Sequence, residues 1–477
     1  MLAFVIFAVT FVAFLLIAVL YLYPASRKKP TTIPGPDPSD PKDGNLPDIQ
    51  LSGGLHNYLA ELHDEYGPIA SFWFGSQLVV SVASPEGFAD QSHAFDRPAL
   101  LYERYKPLLG EDCIMFSNGA EGRKRRNLYS QVFSEQQCMS YAVVFSKLAR
   151  ELCERWARKP SDQLLPLHQY MIAFAAKALL TTTFGGLFLT DDSSILQLVQ
   201  EYDVCMAELL SREVMEPIAQ KNDPREKRFQ QSIQAMKNAI KKVIVDAKAK
   251  EEGNSDKNTP LIKAIISSGI SEEAMVSDAL AYFIGGFHTT GNFLTWVLYY
   301  LALYPEVQEE LYQELKLVFG TSSEFTEDHL RSLRFTRQVL DEALRCGAVV
   351  PFAARVQQIE TTICGHIVPS GTPVIHALGV VLQGENTLWP NPERFDPSRF
   401  QEESVKSRPS LSFCPFGFAG KRKCPGETFS YVEGAVLVSN VILRFQLELA
   451  DGQEATPCLG MVSRPEDEVW FKLKPRE

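Results

Sequence analysis

The stretch from Ser271 to Tyr304 constrains the fold of this chain more than any other segment. It is the longest run with helical periodicity, with Ser271 as an N-cap, two glutamates in its first turn and Pro305 just past its end. The run is apolar enough to raise the question of a membrane span, but polar residues such as Asp278 and His288 interrupt it. It therefore predicts a long helix buried in the core of a large helical body.

Bulk composition narrows the class of protein. At 477 residues the chain exceeds the ~250–300 residues that one core usually supports, and its 45% hydrophobic content is globular. Helical patterns dominate from about residue 120 to 345, while strand-like runs are confined to 69–82 and 365–381, the latter with a turn at 369–371. The net charge of −11 argues against nucleic acid as a partner. The sequence thus predicts a mainly α protein with a minor β portion.

The cysteines indicate a reducing compartment. The nine cysteines are dispersed and none has Cys-x-x-Cys spacing, so neither a zinc site nor a disulfide framework is indicated. An odd number of scattered thiols fits a reducing compartment.

The N-terminus has the features of a membrane anchor. Residues 2–23 carry no charge, and a stretch of ~20 such residues crosses a bilayer as a helix. Basic residues at 27–29 follow and none precedes, which places the N-terminus outside and the large domain in the cytosol. A cleaved signal peptide is the alternative, against which stand the length of the run and the missing basic n-region. The predicted division is a transmembrane anchor (1–24), a basic, Pro-rich linker (25–50) and one large domain (51–477).

One cysteine near the C-terminus lies in a loop suited to binding a metal. Gly420 lies four residues before Cys424, Arg422 lies two before it, a proline follows directly, and Gly426 comes next. Such a loop presents a sulfur from a tight turn with backbone N–H groups directed at it, and the basic neighbours favour thiolate over thiol. A thiolate held in this way ligates haem iron for cleavage of dioxygen, because sulfur donates electron density toward the O–O bond. A cysteine without a role in a Gly/Pro loop is the alternative.

Two upstream motifs lower the weight of that alternative. Glu342 and Arg345 lie three residues apart on a predicted helix and so share one face, and Arg399 lies in the loop Pro397–Phe400. Together with Cys424, these motifs resemble the cytochrome P450 family of haem-thiolate monooxygenases. In that family the helical Glu and Arg and the loop arginine form a buried triad that braces the cysteine loop. The resemblance implies this role for the three side chains here.

The resemblance extends over nearly the whole chain. It implies the cytochrome P450 fold over residues 51–477 as a haem-thiolate catalytic domain, with haem b as cofactor and Cys424 as the axial iron ligand, preceded by a single N-terminal transmembrane helix. The segments that resemble the family's helix ends, first strand and early loop are 66–68, 72–75, 95–98 and 304–306. The segments that resemble the orphan vertebrate branch called family twenty are 1–10, 42–48 and 377–383.

The middle of the long helix, Gly285–Gly291, is poor helix sequence. Each glycine costs ~1 kcal/mol relative to alanine, and paired glycines usually mark a kink or a close approach. In the family this point passes over the haem, and a threonine hydroxyl helps to deliver protons to bound dioxygen. The resemblance implies that role for Thr289, with Gly285 and Gly286 shaping the oxygen pocket. The structural alternative is that the threonine hydroxyl donates a hydrogen bond to the carbonyl four residues back. The two roles are compatible.

His288 departs from the family pattern, which has Asp or Glu directly before the threonine. Histidine titrates near neutrality and is chemically able to relay protons in place of a carboxylate. It is equally able to coordinate iron from the distal side and block oxygen, or to point away and hydrogen-bond within the core. The sequence leaves these three interpretations open.

The haem carboxylates require cationic partners. Arginine suits propionates because paired N–H donors and charge reinforce each other, and the resemblance assigns this role to Arg126, Arg355 and Arg422. Gly122 departs from the family here, because it stands where a tryptophan normally precedes the arginine by four residues. The other basic residues of 123–126 are expected to face outward, toward an acidic partner.

The phenylalanine of the cysteine loop is also displaced. The family has phenylalanine seven residues before the cysteine, where this chain has Gly417, and Phe416 and Phe418 lie on either side. We expect one of these two rings to cover the sulfur.

The resemblance implies a membrane-bound monooxygenase that inserts one oxygen atom from O2 into an apolar small molecule. The chain contains no Gly-x-Gly-x-x-Gly, so electrons are expected from an external NADPH-dependent flavoprotein reductase, with cytochrome b5 as a second candidate, at the endoplasmic reticulum. Lys421, Lys423 and the basic residues of 123–126 would contact an acidic reductase. Two alternatives stay open: a haem-thiolate isomerase or dehydratase that rearranges a peroxide without a reductase, and a non-catalytic haem-binding protein, favoured if His288 ligates iron.

Overall fold

The structure of the protein is a computed structural model that describes residues 31–185, 192–211, 223–251, 260–320, 325–384, 388–418 and 420–476, with 10–12 and 14–15. The described chain is mainly helical with a minor β portion, as the sequence predicts. In chain order the helices are α1 (Leu46–Leu51), α2 (Leu55–Tyr66), α3 (Pro85–Asp90), α4 (Ala99–Tyr102), α5 (Lys106–Leu109), α6 (Gly119–Ser130), α7 (Glu135–Ser140), α8 (Ala142–Ala157), α9 (Leu167–Thr183), α10 (Asp192–Ser211), α11 (Pro224–Glu251), α12 (Pro260–Ser267), α13 (Glu272–Leu303), α14 (Pro305–Phe319), α15 (Glu327–Ser332), α16 (Arg334–Gly347), α17 (Leu378–Gln383), α18 (Glu402–Ser407) and α19 (Glu427–Ile442). Short 3-10 turns cover Glu103–Tyr105, Gln131–Phe133, Pro397–Phe400 and Gly420–Arg422.

The strands form small sheets beside the helical body. The strands are β1 (Ile69–Phe74), β2 (Gln77–Val82), β3 (Leu165–Pro166), β4 (Ala353–Val356), β5 (Thr361–Ile363), β6 (His366–Val368), β7 (Pro373–His376), β8 (Phe445–Leu449), β9 (Pro457–Leu459), β10 (Ser463–Pro465) and β11 (Trp470–Pro475). A four-stranded sheet has the order β1-β2-β7-β4, in which β2 and β7 are parallel and the other pairs are antiparallel. A second sheet has the order β3-β11-β8, and β5–β6 and β9–β10 are two-stranded.

The two predicted strand regions have different outcomes. Residues 69–82 form the β1–β2 hairpin, as predicted. The prediction for 365–381 is confirmed for β6, its turn and β7, but it is wrong after His376, where the chain forms α17. Leu378, Val381 and Leu382 of α17 are buried, and a short buried apolar run has no periodicity that separates strand from helix.

Helix α13 is the predicted core helix. The Ala274 N–H donates to Ser271 Oγ at 3.1 Å, so the predicted N-cap is formed, and most of the helix is buried. The helix runs unbroken through its glycines. A Cβ on Gly286 would lie 2.6 Å from Leu179 Cδ2, and one on Gly291 would lie 2.7 Å from Ile172 Cδ1. These two glycines therefore mark the close approach of α9 to α13 rather than a kink.

Helix α11 matches the prediction of a surface helix over 226–250. One face carries buried apolar side chains such as Phe229, Met236 and Ile244, and the other face is largely exposed. The predicted loop at 251–260 lies, apart from its two ends, outside the described residues.

The predicted anchor and the first part of the predicted linker lie almost entirely outside the described residues. No helix in the described part of the chain combines the length and apolarity needed to cross a bilayer. From residue 31 onward the chain packs against β1: Ile33 is 2% exposed, and the Ser71 N–H donates to the Pro34 carbonyl at 2.7 Å. The packed body therefore begins well before residue 51.

Candidate active site

The Cys424 loop is closed by its own backbone. The Cys424 N–H donates to the Phe416 carbonyl at 3.0 Å, and the Gly417 N–H donates to the Cys414 carbonyl at 2.9 Å. Gly417 has a φ of 84°, a left-handed conformation that glycine adopts without steric cost, which explains the residue at this turn. The loop then passes through the 3-10 turn that begins at Gly420 and enters α19, for which Gly426 is the N-cap residue.

Cys424 is an exposed residue, although neighbouring protein atoms surround its thiol. Burial raises its pKa, and the opposing influences are a hydrogen bond from the Gly426 N–H and the charges of Arg126 and Arg97. One N–H donor of the kind predicted for the loop, that of Gly426, is therefore present. The prediction that Lys421, Arg422 and Lys423 favour the thiolate needs correction, because Arg126 and Arg97 carry that influence and Lys423 pairs with Glu427 at 2.6 Å.

The structure brings the three residues of the predicted triad together. Arg345 Nε and Nη2 donate to the two carboxylate oxygens of Glu342 at 2.7 and 2.9 Å, and both side chains are fully buried. Arg399 Nε lies 3.3 Å from Glu342 Oε1, and the Asp396 N–H donates to the same oxygen at 2.9 Å. Arg345 also donates to the carbonyls of Leu382 and Pro392. The network ties α16 to the segment that leads into the cysteine loop.

Four arginines gather beside the cysteine loop: the predicted Arg126, Arg355 and Arg422, and a fourth, Arg97. Arg422 Nη1 donates to the Ser117 carbonyl at 3.2 Å, and Arg422 Nη2 and Arg97 Nη1 donate to the Met115 carbonyl, each at 3.2 Å. Arg126 donates to the Lys423 carbonyl, within the cysteine loop itself. The sequence placed Arg97 in a family-like loop but gave it no role.

These four cations are not neutralised by acidic partners. Within the described residues no carboxylate forms an ion pair with any of them, and each has a buried Nε without a hydrogen-bond partner. Burial and then the charges of Arg97, Arg126 and Arg355 lower the pKa of Arg422 to about 8. Burial and then Arg97 lower the pKa of Arg355 to about 10. Such a cluster is an anion-binding site by its chemistry.

Of the other basic residues in 123–126, one is oriented differently from the prediction. Arg123 and Lys124 are exposed, as expected. Arg125 is buried, donates to the Asp112 carbonyl at 2.9 and 3.0 Å, and lies 3.4 Å from Asp278. The expectation that only Arg126 points inward is therefore wrong, because α6 also faces the buried carboxylate of α13.

The two phenylalanines of the cysteine loop point to different neighbours. The Phe416 ring lies 5.3 Å from the Tyr431 ring, measured between centroids. The Phe418 ring stacks on Phe88 at 5.2 Å and lies 4.3 Å from the His376 ring. Phe418 therefore anchors the loop to the four-stranded sheet, and Phe416 anchors it to α19.

The threonine pair on α13 divides its hydrogen bonds between two directions. Thr289 Oγ1 donates to the Gly285 carbonyl at 2.5 Å, which is the structural alternative considered for this residue. Thr290 Oγ1 lies 3.2 Å from Ser430 Oγ on α19, the helix that begins three residues after Cys424. A Cβ on Gly285 would meet nothing within 4 Å. The middle of α13 and the cysteine loop therefore border the same region of the protein.

His288 hydrogen-bonds away from Thr289, into the helical core. Its Nδ1 lies 2.8 Å from the Tyr202 hydroxyl of α10, and the two rings are 4.9 Å apart between centroids. Burial, and then the charges of His168 and Arg464, lower the pKa of His288 to about 3. The imidazole is thus neutral at physiological pH, so the premise that it titrates near neutrality is wrong here. Among the three interpretations, the contact favours hydrogen bonding within the core.

Known proteins resemble this chain along its whole length. Residues 34–473 match the family model described as Cytochrome P450. The chain belongs to the cytochrome P450 family. It is 34% identical to Cytochrome P450 20A1 of Bos taurus and 33% identical to that of Homo sapiens, each over 480 residues covering 100% of both chains. It is also 28% identical to Cytochrome P450 4F12 of Homo sapiens, covering 78% of this chain and 74% of the relative.

Membership in this family makes the protein a cytochrome P450-type oxidoreductase with haem as its cofactor. The residues of this P450 fit that group on two independent observations. One is a cysteine in a closed loop with an N–H directed at its sulfur. The other is a set of buried and half-buried arginines that have no acidic partner among the described residues, which suits the two carboxylates of haem. Haem held here would supply the iron chemistry that activates dioxygen.

Two groups at this site had no role in the sequence prediction. Arg97 lies in the 95–98 segment, so the motif was recognisable, but the sequence did not show that the side chain lies beside the cysteine loop. Tyr202, the partner of His288, lies on α10, far away in sequence and without any motif. Only the packing of α10 on α13 reveals it.

Proposed function

We propose that this cytochrome P450 is a membrane-anchored monooxygenase that inserts one oxygen atom from O2 into an apolar small molecule. The observation that carries the proposal is the contact of Thr290 with Ser430, which brings the middle of α13 and the Cys424 loop to one region. A thiolate on one side and a polar helix segment on the other provide the two faces that haem-based oxygen activation needs.

The residues have separate roles in this proposal. Cys424 is the iron ligand, and Arg97, Arg126, Arg355 and Arg422 bind the haem carboxylates. The Glu342 network holds the loop that presents the sulfur, since its charges are fully desolvated and their partners are fixed.

Proton delivery is assigned to Thr289. Its hydroxyl donates to Gly285 in the resting arrangement, and rotation about χ1 would free it to hold a water molecule and pass on a proton. His288, neutral and bonded to Tyr202, fixes the α13 face behind Thr289 rather than supplying a charge.

Electrons are proposed to come from an NADPH-dependent flavoprotein reductase, with cytochrome b5 as an additional donor. The support is electrostatic: Arg123, Lys124 and Lys421 are exposed near the cysteine loop, and such a face attracts an acidic protein. Residues 2–23 are proposed to anchor the chain in the endoplasmic reticulum membrane, with the catalytic domain in the cytosol.

The anchor has its own test. A chain truncated to begin at Thr31 keeps Ile33 and the Pro34–Ser71 hydrogen bond, so it should retain haem and become extractable without detergent. Retention of that truncated chain in the membrane would contradict the anchor. Truncation at Lys42 is the informative comparison, because it removes Ile33 and should weaken the fold.

A second candidate function is a haem-thiolate isomerase that rearranges a peroxide without a reductase. The observation in its favour is the absence of a carboxylate directly before Thr289, where His288 turns toward Tyr202.

One pair of measurements separates the two functions. The reduced protein with CO should show the red-shifted Soret band of a thiolate-ligated haem under either function. Under the proposed function, reductase and NADPH should then support oxygen-dependent product formation from apolar compounds. Turnover of an organic hydroperoxide alone, with no NADPH-dependent oxygenation, would overturn the monooxygenase and support the isomerase.

A further inference from the structure

Phe95 contacts two arginine side chains at the edge of the anion-binding cluster. The guanidinium carbon of Arg422 lies 4.5 Å from the centre of the Phe95 ring, and that of Arg123 also lies 4.5 Å from it. Phe95 and Arg422 are buried, whereas Arg123 is exposed. Both distances lie within the ~6 Å range in which a cation is attracted to the negative face of an aromatic ring.

Gly122 allows this arrangement. A Cβ at residue 122 would lie 2.3 Å from the Ser117 carbonyl oxygen and 3.2 Å from Phe95 Cε1. The Ser117 carbonyl is the group that accepts from Arg422 Nη1. A larger side chain at residue 122 would therefore press on two of the groups that contact the Arg422 guanidinium, the Ser117 carbonyl and the Phe95 ring.

The loop that carries Phe95 is fastened to the start of α6. The Gly119 N–H donates to Asp96 Oδ1 at 2.8 Å, and the Arg97 N–H donates to Asn118 Oδ1 at 3.0 Å. The Asn118 side chain donates back to the Arg97 carbonyl at 2.9 Å. These three hydrogen bonds fix the position of the loop relative to α6, so the Phe95 ring is held in one place.

We propose that Phe95 is a positioning residue that holds the Arg422 guanidinium toward the haem carboxylate, and that Gly122 is required for it. Glycine at residue 122, where the family normally has tryptophan, then makes room for Phe95 to support Arg422. The proposal rests on the assignment of the arginine cluster to the haem carboxylates.

A ring has an advantage over an acidic side chain at this place. A carboxylate beside Arg422 would neutralise it and compete with the ligand for its N–H groups. An aromatic face attracts the cation without accepting those hydrogen bonds, and the attraction is stronger at a desolvated site than at an exposed one. Arg422 is therefore held beside the ring with its Nε free of any acidic partner among the described residues and available to an anion.

The test measures how fast haem transfers from the ferric protein to excess apomyoglobin. Replacement of Phe95 by phenylalanines with one, two and three ring fluorines keeps the shape and weakens the negative ring face. Transfer should accelerate stepwise with each fluorine, and Phe95→Leu should accelerate it about tenfold. Phe72→Leu removes an equally buried ring from β1 without an arginine contact and should leave the rate unchanged.

Three outcomes decide between the claims. If Arg422→Gln accelerates transfer but the fluorine series is flat, the role of Phe95 is wrong and the arginine assignment stands. If Arg422→Gln leaves the rate unchanged, the assignment itself fails and the proposal fails with it. Gly122→Ala is the second variant: acceleration similar to that of Phe95→Leu supports the proposal, and an unchanged rate contradicts the requirement for glycine.

Discussion

The two sides of the candidate site differ in how they use polar residues. On the side of Cys424, several charged side chains are removed from solvent. Glu342 and Arg345 are fully buried and paired, and four buried or half-buried arginines have no acidic partner within the part of the chain that the structure describes. In the middle of α13, by contrast, Thr289 and His288 are neutral: Thr289 is a hydroxyl that bonds within its own helix, and the pKa of His288 is lowered to about 3.

This difference indicates what each side must do. Buried charge is expensive unless its geometry is fixed, so the cysteine side is built to hold one ligand in one position. Neutral hydroxyl and imidazole groups exchange partners at low cost, which suits a side where small molecules and protons enter and leave. Substitutions on the cysteine side should therefore reduce haem content. Substitutions on α13 should leave the haem bound and change how efficiently it is used in the reaction.

The largest effect is expected for Glu342→Ala. Removal of this carboxylate leaves Arg345 buried without its charge partner, and breaking a buried pair costs about 3–5 kcal/mol. The protein should contain little haem and melt at a markedly lower temperature. Glu327→Ala, which breaks the exposed pair with Arg331, is the control and should change the unfolding free energy by at most ~1 kcal/mol. Equal behaviour of the two variants would show that the Glu342 network is not needed.

Cys424→Ala should remove the ligand while sparing the fold. The bond that closes the loop, from the Cys424 N–H to the Phe416 carbonyl, belongs to the backbone and survives the substitution. The red-shifted Soret band of the CO complex should disappear, with the far-ultraviolet circular dichroism nearly unchanged. Cys414→Ala, ten residues earlier in the same loop region, should keep the band. A band that survives in the Cys424 variant would refute the thiolate assignment.

Thr289→Ala should separate cofactor binding from cofactor use. Haem content and the CO spectrum should match the parent protein, while the yield of product per NADPH consumed falls about tenfold and peroxide accumulates. Thr295→Ala is a matched control, because Thr295 makes the same bond to a carbonyl four residues back at 2.8 Å, elsewhere on α13. A loss of coupling that is equal in both variants would assign the effect to the helix rather than to the hydroxyl.

The smallest effect is expected for the pH dependence of stability. The pKa of His288 in the folded state, about 3, lies below the ~6.5 of an unfolded histidine, so the unfolded chain binds a proton that the folded protein rejects between these values. Its contribution to stability is therefore full above pH 6.5 and is lost as the pH falls toward 3.

Thermal melting followed from pH 7 to pH 5 measures this dependence. His288→Asn should reduce the slope of unfolding free energy against pH by up to about 1.4 kcal/mol per pH unit, the value of one proton. His93→Asn, at an exposed histidine, is the control and should leave the slope unchanged. An unchanged slope in the His288 variant would mean that the imidazole is charged or solvated in the folded protein.

How far the sequence predicts the site depends on how local each signal is. The cysteine loop, the Glu342–Arg345 spacing and the helix signals around α13 are encoded within about ten residues, and the structure places them as predicted. The strand predicted beyond His376 is wrong, because burial of a short apolar run does not specify strand or helix. Arg97 and the inward direction of Arg125 depend on how α6 packs, which no local pattern states.

By itself, the sequence determined the family, the helical character, the cysteine and its bracing triad, because these rest on spacings along one segment or on motifs in a fixed order. Only the tertiary structure decided the roles of the departures. His288 turns to Tyr202, Gly122 makes room for Phe95 and Ser117, and Gly286 lets α9 approach α13. Each of these depends on a partner from a distant segment, and such a partner is defined by packing in three dimensions rather than by neighbours along the chain.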